Sequence, residues 1–77
     1  MHDPWLRQHW QESIRRMADT LRDVTMALAL LRYCAEKQRE QDGHLANEVV
    51  WGLQAFERAQ ASLEEGLRHL ASRWGGL

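Results

Sequence analysis

The chain is predicted to be all-α, an antiparallel hairpin of two long helices, and three observations predict it. The first is a heptad stripe: Trp10, Ile14, Met17, Leu21, Val24, Leu28, Leu31 and Ala35 step by four and three residues without a slip. The second is a matching stripe: Ala46, Val49, Leu53, Phe56, Gln60, Leu63, Leu67, Leu70, Trp74 and Leu77, in which only Gln60 is polar. Such spacing gathers each set on one side of a helix and makes a coiled-coil-type seam. The third is a turn, Asp42-Gly43, between the stripes, with no proline anywhere after Pro4.

The first helix begins at Asp3-Pro4. An aspartate there can cap the free amides and oppose the helix dipole, and proline at the first helical position forfeits no hydrogen bond. No breaker follows until Asp42-Gly43, so helix 1 is expected over about 4–41, ~57 Å long at ~1.5 Å per residue. Ser13 offers a possible restart, so residues 1–12 are alternatively a short separate helix. Gly43 suits the left-handed conformation that ends many helices. The turn is expected at 42–43 and helix 2 at about 44–74. Helix 1 then overhangs by one to two turns. Gly75-Gly76 is expected to end helix 2 and free the tail. The whole chain, 1–77, reads as one domain.

Folding at residues 42 and 43 brings together positions that sum to about 85. Leu31 then falls near Leu53, Leu28 near Phe56, Leu21 near Leu63 and Met17 near Leu67. The stripes agree on one register, so the seam is expected to be satisfied within the chain. Gln60 falls opposite Val24 and Thr25, and its amide is expected to bond Thr25, a backbone carbonyl or water. A polar seam residue costs stability but fixes register. Trp10 and Trp74 fall at the same end, where they are expected to pack together.

Composition narrows the function classes. Ten Lys and Arg against eleven Asp and Glu leave no basic field for a nucleic-acid backbone. The apolar run Val24 to Leu31 is far short of the ~20 residues that span a bilayer, and the N-terminus lacks a signal-peptide pattern. Cys34 is the single cysteine, which excludes an internal disulfide and fits a reducing compartment. The expectation is a cytoplasmic protein that binds neither nucleic acid nor membrane.

No catalytic motif stands out. His9 and Glu12, or Glu65 and His69, have ligand-compatible spacing, but di-metal bundles need Glu-x-x-His pairs and seam carboxylates. His2 beside a free amino terminus is a possible adventitious copper ligand. Cys34 has no defined triad partner and reads as a small seam-flanking hydrophobe. There is no phosphate-binding glycine loop. No enzyme activity, cofactor or metal is expected. The outer faces carry charges at i, i+4, among them Arg15, Arg16, Asp19 and Asp23, and Glu64 with Arg68.

The functional signal lies in what the seam leaves over. Two helices touching along one stripe have no interior, and a lone pair of this size buries little surface. Met26, Leu30 and Tyr33 repeat on a second face of helix 1, and Val50 and Trp51 lie off the helix 2 stripe. These five form the expected partner-contact patch; the alternative is that they pack under an N-terminal segment carrying Trp5, Leu6 and Trp10. Gly52, Ala59 and Gly66, spaced by seven, line one edge of helix 2. Glycine inside a helix costs about 1 kcal/mol against alanine, so a close helix–helix contact is expected there, within the hairpin or with a partner. The hairpin is therefore expected to self-associate as a homodimer, a four-helix bundle, or to complete another protein's core.

In layout, Leu30-Leu31-Arg32-Tyr33-Cys34-Ala35-Glu36-Lys37 closing helix 1, followed by Gly52-Leu53-Gln54-Ala55-Phe56-Glu57-Arg58-Ala59-Gln60 in helix 2, resembles the small bacterial co-chaperones of type III secretion needle subunits. The resemblance spans residues 14–71 and carries no diagnostic motif. It implies a two-helix adaptor that pairs with a helical-repeat chaperone and keeps a needle protein unpolymerised. Alternative readings are a phage-type inhibitor docking on a host or defence protein and a self-assembling structural helical protein.

Overall fold

The computed structural model describes residues 3–77. Two helices are present, α1 (Pro4–Asp42) and α2 (Asn47–Trp74), packed antiparallel along their length. The molecule is a rod of 61 × 16 × 14 Å with a radius of gyration of 17.4 Å. A globular chain of this length has a radius near ~11–12 Å, so the hairpin has a seam rather than an interior.

α1 is continuous from Pro4, with no break at Ser13 and no separate N-terminal helix among the described residues. The Asp3 carboxylate accepts hydrogen bonds from the Trp5 and Leu6 amides at 3.0 and 3.3 Å, and Pro4 opens the first turn. At the other end Gly43 is left-handed (φ 81°) and donates its N–H to the Arg39 carbonyl at 2.7 Å. The start of α1 does not fold back: Trp5 and Leu6 remain exposed on the overhang.

The turn and the start of α2 differ from the sequence expectation. The connection is residues 43–46, and α2 starts at Asn47 rather than 44. After the left-handed glycine the chain stays extended through Ala46 (ψ 144°), and Leu45 becomes half-buried beside Ala35 and Leu53. Burying Leu45 outweighs starting the helix earlier. The cost is an uncapped terminus, because Ala46 has no side-chain acceptor for the free amides.

The C-terminal end is closed, not free. Trp10 and Trp74 stack nearly parallel, with centroids 3.9 Å apart and planes 3° apart. Gln11 donates its amide to the Trp74 carbonyl at 2.8 Å. Gly75 and Gly76 turn with positive φ and bring the tail against the Gln11 backbone, where a Cβ on Gly76 would stand 2.6 Å from the carbonyl oxygen. Leu77 lies beyond α2 and is exposed, so it is not part of the seam.

Candidate interaction surface

Calling Ile14 and Leu67 heptad position a puts Met17 and Leu63 at position d, and this lettering divides the seam into two unlike halves. Among the a residues, Ile14, Leu21, Leu28, Ala35 and Leu67 are between 2% and 8% exposed, Leu53, Gln60 and Trp74 are half-buried, and Ala46, beside the turn, is exposed. The d residues Met17, Val24, Leu31, Val49, Phe56, Leu63 and Leu70 are between 38% and 56% exposed. The expectation that the stripes are satisfied within the chain therefore holds for the a residues of α1 and for Leu67, holds in part for Leu53, Gln60, Trp74 and the d residue Trp10, and fails for the other apolar d residues.

The cause lies in the residues at position e, which flank a. Ala18 and Ala71 are small and pack against the Ile14, Leu21 and Leu67 cluster. Close approach along this edge rolls both helices towards it. Polar side chains then latch it. Arg32 Nε donates to Glu57 Oε1 at 3.0 Å, and Gln60 Nε2 donates to Thr25 Oγ1 at 2.6 Å. Thr25 passes its own proton to the Leu21 carbonyl at 2.9 Å. The Arg32–Glu57 and Gln60–Thr25 bonds, together with that from Gln11 to the Trp74 carbonyl, cross between the helices on the a/e edge. The Gln60–Thr25 and Trp10–Trp74 pairings expected from the register are both present.

The opposite edge is open. In an antiparallel pair the d and g positions of both helices share one face, so the half-exposed d residues of α1 and α2 line a common strip. Position g beside it holds Thr20, Ala27 and Cys34 on α1, and Gly52, Ala59 and Gly66 on α2. All are small. A Cβ built on Gly52 or Gly66 would meet nothing within 4 Å, so these glycines serve no close contact inside the hairpin. An apolar groove of about 250 Å³ opens on this face near the turn, with Leu31, Cys34, Leu45 and Val49 among its walls. A second, of about 240 Å³ and lined by Leu6, His9, Trp10 and Ser13, opens at the overhang.

Of the residues singled out in the sequence, Gly52, Ala59 and Gly66 border this face, and Leu30 stands at its rim. Met26 and Tyr33 at position f of α1, and Trp51 at position f of α2, are exposed on the outer sides of the two helices, pointing away from each other. Lys37 Nζ lies 5.5 Å from the Tyr33 ring centroid. Val50 is half-buried at the a/e edge. These residues therefore do not share one patch. The sequence reading missed the d residues themselves, because it treated them as internal. The signal that identifies them is the asymmetry of their flanks: alanines and hydrogen-bonding side chains beside a, and small residues beside d.

The remaining candidates are dispersed. His9 packs its ring 4.0 Å from that of Trp5, while Glu12 pairs with Arg16 at 3.0 Å. Glu65 and His69 approach to 3.7 Å on the surface of α2. Among the described residues no three metal-ligating side chains converge. His2 lies outside the described residues. Cys34 is exposed. The expected i, i+4 ion pairs do not form among the described residues: Arg16 takes Glu12 at i, i+4, Asp19 takes Arg22 at i, i+3, and Glu64 accepts from Gln60. Glu12 precedes Arg16, the orientation that suits the helix dipole.

Neither protein-family models, curated proteins nor solved structures yield a match to this chain. Among the described residues no helix is long and apolar enough to cross a membrane.

Proposed function

We propose that the chain is a non-enzymatic protein–protein interaction module that works through its d/g face. The observation that supports this reading is the half-exposed apolar strip running along the rod with small residues beside it. Solvated single hydrophobic residues are ordinary, but a contiguous apolar strip on a chain this small marks a contact surface. Small flanking residues let a further helix approach at backbone distance, and the aliphatic and aromatic d residues give that helix a groove to fill. This is the helix-in-groove mode, in which apolar anchors rather than charge supply affinity. An adaptor or co-chaperone that completes a helical core fits this surface.

The test is site-specific photo-crosslinking. A photoreactive phenylalanine analogue at Phe56 is expected to yield discrete adducts in cells that express the chain. The same analogue at Arg15 or Arg58, on the outer surface, is expected to yield none. Absence of adducts from position 56 contradicts the reading.

A further inference from the structure

We infer that the occupant of the d/g face is a second copy of this chain, seated with both turns at the same end to form a four-helix bundle. The inference rests on the interaction-module reading and adds the identity and orientation of the partner. Three properties of the face support it. The first is area. The seam from residue 10 to 38 is ~42 Å long, and the hairpin is 16 Å wide. Two such faces remove roughly 1,300 Å² from water, within the ~1,200–2,000 Å² of stable specific interfaces.

The second is the fit of the face to itself. A twofold axis along the rod sets α1 of one copy against α2 of the other, antiparallel and at equal heights. Thr20 then meets Gly66, Ala27 meets Ala59, and Cys34 meets Gly52. From Thr20 to Cys34 each of these layers is small against small, and at the end away from the turns Ser13 meets Arg73. The d residues of all four helices turn to the bundle centre, and the a and e residues keep their places inside each hairpin.

The third is charge at the rim, where position c of α1 faces position c of the partner's α2. Lys37 comes opposite Glu48, Leu30 opposite Ala55, and Asp23 opposite Ser62. Arg16 opposite His69 is the one rim pairing without complementarity. The alternative twofold axis, across the rod, places α1 against α1 and sets Asp23 beside its own copy near the midpoint. A net charge of −1 gives no long-range repulsion between copies.

Sedimentation equilibrium of the purified chain at micromolar concentration is expected to give twice the 9.0 kDa chain mass. Phe56→Lys with Leu63→Lys is expected to return the single-chain mass while circular dichroism stays helical. Both side chains are half-exposed in the lone hairpin, so their loss leaves its a/e core intact. If that pair fails to fold, Gly66→Leu is the second variant. Its side chain has open space in the free hairpin and obstructs only the contact between copies. Gly52→Cys is expected to let Cys34 of one copy join position 52 of the other in a covalent dimer, because in this orientation those two positions meet. A wild-type monomer overturns the second-copy inference. If Phe56 adducts to a different protein appear in cells, the interaction-module reading survives that result, and if no adducts appear both fail. A dimer in which Cys34 does not join position 52 of the other copy overturns the same-end orientation.

Discussion

At the scale of single residues, the hairpin is held by a few specific contacts on one edge. Gln60 on the seam hydrogen-bonds Thr25 at 2.6 Å, and Thr25 remains open to solvent. Gln60→Leu is expected to raise stability by ~0.5–1 kcal/mol, since a half-buried apolar side chain replaces a half-buried amide and water can still serve the Thr25 hydroxyl. Thermal unfolding followed by circular dichroism measures this. Trp74→Ala removes a stacked ring and is expected to cost ~2 kcal/mol, below the ~3–5 kcal/mol of a fully buried tryptophan. It should also abolish the exciton-coupled circular dichroism of the Trp10–Trp74 pair. Both contacts were legible in the sequence, because positions summing to about 85 fall opposite one another. The Gln11 bond to the Trp74 carbonyl and the return of Gly76 onto Gln11 were not. They depend on the positive φ of Gly75 and Gly76, which composition alone does not assign.

At the scale of elements, stripes and stop signals placed both helices, and their ends differed by the physics of the turn. The sequence marks Gly43 clearly, but it does not show that Leu45 is better half-buried than helical. The uncapped start of α2 follows from that choice. Ala46→Asp provides an acceptor at an exposed N-cap position and is expected to stabilise the chain by about 1 kcal/mol, seen as a higher melting temperature. In the helix interior, Gly52 and Gly66 have open space where a side chain would stand. In a hairpin with its d/g face uncovered, each Gly→Ala change is expected to add up to ~1 kcal/mol through helix propensity. Measured on a monomeric Phe56→Lys, Leu63→Lys background, a loss of stability on Gly66→Ala would contradict the placement of these glycines on an open edge.

At the scale of the whole molecule, the chain is a rod with one closed edge and one open face. The stripes in the sequence specify the hairpin and its register, but they do not specify how far each helix rolls about its own axis. That roll is set by Ala18 and Ala71, which let one edge close, and by Thr25, Arg32, Glu57 and Gln60, which latch it. It divides two equivalent-looking heptad positions into a buried set and a half-exposed set. In the inferred dimer, a second copy on the exposed set supplies the core that one hairpin lacks. Unfolding is then linked to dissociation, so stability depends on chain concentration. The most direct test is the melting temperature of the wild-type chain across a hundredfold range of concentration, beside the Phe56→Lys, Leu63→Lys variant. The account predicts a wild-type melting temperature that rises with concentration and a variant whose melting temperature is lower and independent of concentration. Equal, concentration-independent melting of both would contradict it.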